Sequence, residues 1–150
     1  IDLPEKTIAI IKGLNSSIPV IVLDIGNPYL AGFSEIHKLC DQLIVLTDAF
    51  PATALRTRRL LGTLKLELSE KNRYIDTVLY NHIRSDAGLS AEQVSKLLPG
   101  TTIKFMIPPV PEQVFQANQK YIPLSRIQPE GLFAQQVNEL SRTICQRFQL

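Results

Sequence analysis

The run Ile18-Pro19-Val20-Ile21-Val22-Leu23, followed by Asp24-Ile25-Gly26, constrains this chain more than any other stretch. Its apolar residues are continuous rather than spaced along one helix face. Such a run, ending at turn chemistry, predicts a strand covered on both faces, as in a parallel α/β sheet. Asp24 then stands at the strand's carboxyl end, where open α/β sheets bind ligands. A carboxylate there suits a magnesium-organising acid in a nucleotide site. It suits equally an ordinary Asp that caps the next segment.

The flanking segments repeat the theme. Residues 4–14 predict a helix, with Pro4 in the first turn, Glu5 on its dipole and Gly13 near its end. Ile8, Ile11 and Leu14 give it an inner face. Residues 33–40 predict a short helix with Phe33, Ile36 and Cys40 on one side and His37 beside them in a packing or surface role. Leu43-Ile44-Val45-Leu46 predicts a second buried strand, ending at Thr47-Asp48. Pro51 opens a long helix to about Leu68, striped by Leu61, Leu64 and Leu68.

Residues 73–80 are β-branched and aromatic and predict a third strand, followed directly by Asn81. Ser90 and Gln93 form a capping box for a helix over 91–98. Residues 102–108 alternate Ile103, Phe105 and Ile107 with Thr102, Lys104 and Met106, a pattern for a strand nearer a sheet edge. Pro111 starts a helix to about Asn118. Phe133, Val137, Leu140, Ile144 and Phe148 stripe a last helix over 130–148. Strands alternating with helices imply parallel pairing and right-handed crossovers. The expected fold class is α/β: a single three-layer α/β/α domain over 1–150, with a mostly parallel sheet of about four strands. The chain opens on a helix, starting at Ile1 without Met, which points to missing N-terminal sequence.

Composition excludes several classes. The 150 residues suffice for one real core, and a net charge of +2 is too weak to argue for nucleic acid. Cys40 and Cys145 lie far apart, without metal-type spacing, and read as reduced thiols. No run approaches the ~20 apolar residues of a membrane span, and no signal peptide is visible. The expected location is the cytoplasm, with partners able to recruit the protein to the inner membrane face.

Two families resemble parts of this pattern. Asp24, Pro28 and Gly32 keep the spacing D-x-x-x-P-x-x-x-G, which resembles the phosphoacceptor loop of receiver domains over some 30 residues, with Thr47 in place of the receiver threonine. The third strand, however, ends in Tyr80-Asn81 rather than in a lysine before a proline. The second resemblance runs nearly the whole length. Asp41-Gln42-Leu43-Ile44-Val45-Leu46-Thr47, Ala54-Leu55-Arg56-Thr57-Arg58-Arg59-Leu60-Leu61, Val78-Leu79-Tyr80-Asn81, Leu89-Ser90-Ala91-Glu92-Gln93-Val94 and Ile107-Pro108-Pro109 follow one another in the order and spacing of MinD/ParA-type P-loop ATPases. The match is nearest to the CpaE/TadZ branch, which positions pilus-assembly machinery.

The resemblance implies a P-loop NTPase-like fold lacking its N-terminal P-loop strand, and it implies roles. Asp24 matches the Walker B acid that holds magnesium through water, although the family's Asp-x-Pro-Pro is here Asp24-Ile25-Gly26-Asn27. Asn81 matches the residue that reads the adenine edge. Pro108, Pro109 and Glu112 match the loop beside the base. Arg56, Arg58 and Arg59 lie on the helix that meets partners in the family; a solvated helix surface is the plain alternative, and DNA is a weaker fit. No glycine is followed by lysine, so no P-loop is present in these residues.

The expected function is therefore that of the C-terminal part of a MinD/ParA/CpaE-like ATPase, acting in spatial positioning or in pilus or secretion machinery, with ATP and magnesium bound only in a complete domain. No catalysis is expected from these residues alone. A degenerate NTPase-like interaction module is the main alternative, and a receiver-like signalling domain the distant one. A missing P-loop strand would leave an apolar edge near residues 18–25, so a homodimer or higher oligomer is expected, together with protein partners.

Overall fold

The computed structural model describes residues 3–26, 32–67, 73–80 and 88–150. It divides into two compact units, residues 1–43 with 62–75, and residues 44–61 with 76–150.

In the first unit, α1 (Leu3–Leu14) carries Glu5 in its first turn and Lys12 in its last, both favourable to the helix dipole. It packs on α2 (Phe33–His37). Gly32 precedes α2 at φ 84°, and a Cβ at that position would collide with the Pro4 ring. Ile8 and Ile11 are half-buried, while Leu14 remains 40% exposed. Helix α2 stops three residues before the end expected for it, at a turn in which Cys40 N–H donates to the His37 carbonyl.

The organising run differs from expectation. Residues 20–26 form no strand. Ile21, Leu23 and Ile25 are half-buried and alternate with exposed Val20, Val22 and Asp24, which is the two-residue period of extended chain. Val22 is 90% exposed. Apolar composition makes a segment suited to burial, but a strand exists only where a neighbour takes its N–H and C=O groups. The described residues supply none here.

The sheet has three strands rather than about four: β1 (Gln42–Asp48), β2 (Tyr74–Tyr80) and β3 (Ile103–Ile107), in the order β1-β2-β3. All three run parallel. Tyr74 N–H donates to Asp41 C=O where β1 and β2 begin. Thr77, Val78, Leu79 and Tyr80 stand opposite Ile103, Phe105, Met106 and Ile107, with an irregular step after Thr77. Helix α3 (Pro51–Glu67) links β1 to β2, and α4 (Ala91–Leu97) links β2 to β3. Ser90 Oγ accepts from Gln93 N–H while Gln93 Oε1 accepts from Ser90 N–H, the reciprocal cap expected from the sequence.

Helices α5 (Pro111–Lys120) and α6 (Leu132–Phe148) complete the second unit. Phe133, Val137 and Leu140 of α6 pack against Val78, Phe105 and Ile107. Each large side chain so removed from water contributes roughly 1.5–3 kcal/mol. Arg147, in the last turn of α6, holds Asp76 of β2 through Nη1–Oδ2 at 2.7 Å. Strand β1 is buried on one face only: Leu43, Val45 and Thr47 are covered, whereas Ile44 is 42% and Leu46 66% exposed. The run 43–46 was expected to be buried throughout. The apolar residues of both faces read alike in sequence, and only the packing distinguishes them. β3 lies at an edge, as its alternation indicates, and its Met106 N–H is taken by Gln136 Oε1 of α6 at 3.4 Å.

Candidate functional site

Parallel strands bring their carboxyl ends to one edge, and in open α/β sheets that edge receives ligands. Here the edge carries Asp48 at the end of β1, Tyr80 at the end of β2, and Pro108-Pro109 after β3.

Each exit is built by local chemistry. Asp48 Oδ1 accepts from Phe50 N–H at 2.9 Å, closing an Asx turn one residue ahead of Pro51, where α3 starts. Thr57 Oγ1 donates to Thr47 Oγ1 at 3.0 Å in a buried contact that fixes the first turns of α3 against β1. The chain returning toward α4 is tied to the same edge: Leu89 N–H donates to Ala49 C=O at 2.9 Å. A Cβ at Gly88 would stand 2.9 Å from the Ala49 Cβ, so this approach needs glycine.

After β3, Pro108 and Pro109 are half-buried and cannot extend the ladder. Pro111 takes the first position of α5, and Glu112 lies exposed in its first turn. Glu112 borders a shallow surface depression with Pro111, Phe115, Gln116 and Gln119, all on one helix. Phe115 is 63% exposed. Gln113 Nε2 donates to Gln128 Oε1 at 2.8 Å, which ties α5 to the segment leading to α6.

The sequence-predicted residues fall as follows. Pro108, Pro109 and Glu112 share the carboxyl edge with the end of β2. Asn81 continues directly from Tyr80 but lies outside the described residues, as does Leu68. Asp24 belongs to the other unit, exposed, with Oδ1 accepting from Gly26 N–H at 3.0 Å. That bond, with Gly26 at φ 68°, is the turn-capping role open to any such Asp. Arg56, Arg58 and Arg59 are all exposed on α3, with Arg56 and Arg59 one turn apart. No group of three metal-ligating side chains gathers among the described residues, so protein ligands alone build no closed magnesium site there. Asp24 retains a second carboxylate oxygen, which fits a water-mediated contact to a metal.

Two features escaped the sequence reading. Asp48 ends β1 at the ligand edge, and its signal, an acid closing an apolar run, was as legible as that of Asp24. His37 is 1% exposed, with Nδ1 2.7 Å from Phe33 O and Nε2 2.8 Å from Glu67 Oε2. Glu67 is 30 positions away in sequence, and no local pattern joins the two. Cys40 and Cys145 are free thiols. Burial pushes the Cys40 thiol up, against a smaller opposite pull from Arg73, which disfavours a reactive thiolate.

No protein-family model and no curated protein matches the sequence. Solved structures do match the fold. A ParA family ATPase from Chlorobium tepidum superposes with a TM-score of 0.76 at 19% identity, over 91% of this chain and 55% of that one. MinD from Aquifex aeolicus gives 0.71 at 19% identity, over 94% and 58%. MinD in the MinC:MinD cell division protein complex from the same organism gives 0.71 at 19% identity, over 93% and 56%. The chain thus has the P-loop NTPase-like α/β fold of ParA and MinD structures and spans little more than half of their length.

Proposed function

We propose that these residues form the C-terminal part of a MinD/ParA-type ATPase domain, nearest in pattern to the CpaE/TadZ branch, which works in spatial positioning or in pilus or secretion machinery. The observation that carries this is the likeness to the ParA and MinD folds over more than nine-tenths of the chain. It is joined by Pro108, Pro109 and Glu112 at the same sheet edge as the end of β2. In this reading Asn81, one step beyond Tyr80, reads the adenine edge. Pro108, Pro109 and Glu112 flank the base. Asp24 organises magnesium through water once a phosphate-binding loop is supplied. The protein works in the cytoplasm and is drawn to the inner membrane face by partners. Among the described residues no helix is long and apolar enough to cross a membrane.

Titration of ATP and magnesium into the full-length gene product, followed by calorimetry, tests the nucleotide reading. Binding is expected, and Asn81→Ala should weaken it about tenfold, as loss of one base-reading contact does. Absence of binding overturns the reading. It would favour the second one, a degenerate interaction module, which the commitment of Asp24 Oδ1 to its own turn supports.

Partner contact is assigned to exposed Arg56, Arg58 and Arg59, with a protein favoured over DNA at a net charge of +2. Self-association is assigned to apolar surface left open: Val22 at 90% exposure and Leu46 at 66%. Light scattering of the chain as given should report a dimer or larger species at high concentration. A clean monomer contradicts that part of the proposal.

A further inference from the structure

His37 is the one histidine among the described residues, and it is almost fully buried in the first unit. Its ring is tilted against the Phe33 ring, with centroids 4.8 Å apart. Both ring nitrogens face oxygens. Nδ1 is 2.7 Å from the Phe33 carbonyl, which only accepts, so Nδ1 bears a hydrogen and donates. Nε2 is 2.8 Å from Glu67 Oε2, placed off the line of a well-formed hydrogen bond. A neutral ring with its hydrogen on Nδ1 would turn a lone pair toward an ionised carboxylate, with no water between them. Two acceptors at that distance repel, and burial of one of them removes the screening that would excuse it. One further proton must therefore sit on the pair.

We propose that His37 and Glu67 form a proton-dependent latch that holds α2 against the C-terminal turn of α3. With the proton present, the imidazolium joins the Phe33 carbonyl to the Glu67 carboxylate across the two helices. When the proton leaves, the ring has one hydrogen for two acceptors, and α2 loses its hold on α3. The charges on the surrounding elements are Glu5, Lys6 and Lys12 of α1, Glu35 and Lys38 at α2, and Lys65 beside Glu67 on α3. Asp41 and Arg73 act on the neighbouring Cys40 thiol. Among the described residues, Glu67 is the group that forms an ion pair with His37.

The experiment is a pH titration of the isotopically labelled chain by NMR, reading the His37 ring nitrogens and the α2 backbone amides together. The latch predicts that both ring nitrogens resonate as protonated while α2 is docked, and that the ring and amide signals move with one midpoint. Glu67→Gln supplies an amide that can donate to an unprotonated Nε2, so in that variant the α2 amides should no longer follow the ring. Glu67 is 32% exposed at its side chain, so the substitution leaves the core intact. A ring that loses its proton while the α2 amides hold their positions overturns the proposal. So does a Glu67→Gln variant whose α2 amides respond to pH as in the unmodified chain.

Discussion

Asp76 and Arg147 show how much one pair of side chains can settle. They are 13% and 15% exposed and join β2 to the last turn of α6. Arg147 donates from Nη1 at 2.7 Å, with Nη2 at 3.5 Å from the other carboxylate oxygen. Taking two charges out of water costs about as much as their attraction returns, so the pair adds little net stability. Removing one partner is a different matter, because the other charge stays buried. Asp76→Ala should cost about 3 kcal/mol, read as a lower urea midpoint. Replacing both residues by leucine should cost clearly less. Equal losses in the two variants would show that the charges do not act as a unit. Neither residue stands out in sequence, since they are 71 positions apart and each has an ordinary neighbourhood.

Elements were legible where local chemistry decides them. The Ser90–Gln93 cap, Pro111 at the start of α5 and the Phe133, Val137, Leu140 stripe of α6 each declare themselves within a few residues, and each is found. The run 18–25 was not legible in the same way. Its composition is that of a covered strand, but pairing is a property of the neighbour and not of the run. The same holds for β1, where Leu43 and Val45 are buried while Ile44 and Leu46 are not. A direct comparison of two aliphatic positions follows. Val22, at 90% exposure, should tolerate Val22→Asp within about 0.5 kcal/mol. Leu79, at 0% on β2, should lose about 3 kcal/mol on Leu79→Ala. Thermal or urea unfolding of the two variants measures both. A large loss at Val22 would mean that the segment is covered in solution.

At the scale of the molecule, three parallel strands turn their carboxyl ends to one edge, and the chain's resemblance to ParA and MinD rests on that arrangement. The fold class was readable because the alternation of strands and helices leaves few ways to connect them. The site was readable in part: Pro108, Pro109 and Glu112 follow β3 at that edge, while Asp24 lies in a separate unit and its carboxylate closes a local turn. Hydrogen–deuterium exchange of the full-length gene product, with and without ATP and magnesium, tests the central claim most directly. The account predicts slower exchange in peptides that cover the end of β2 with Asn81 and in those that cover residues 108–112. Unchanged exchange at both places, with nucleotide bound or with protection confined to the arginine face of α3, would contradict it.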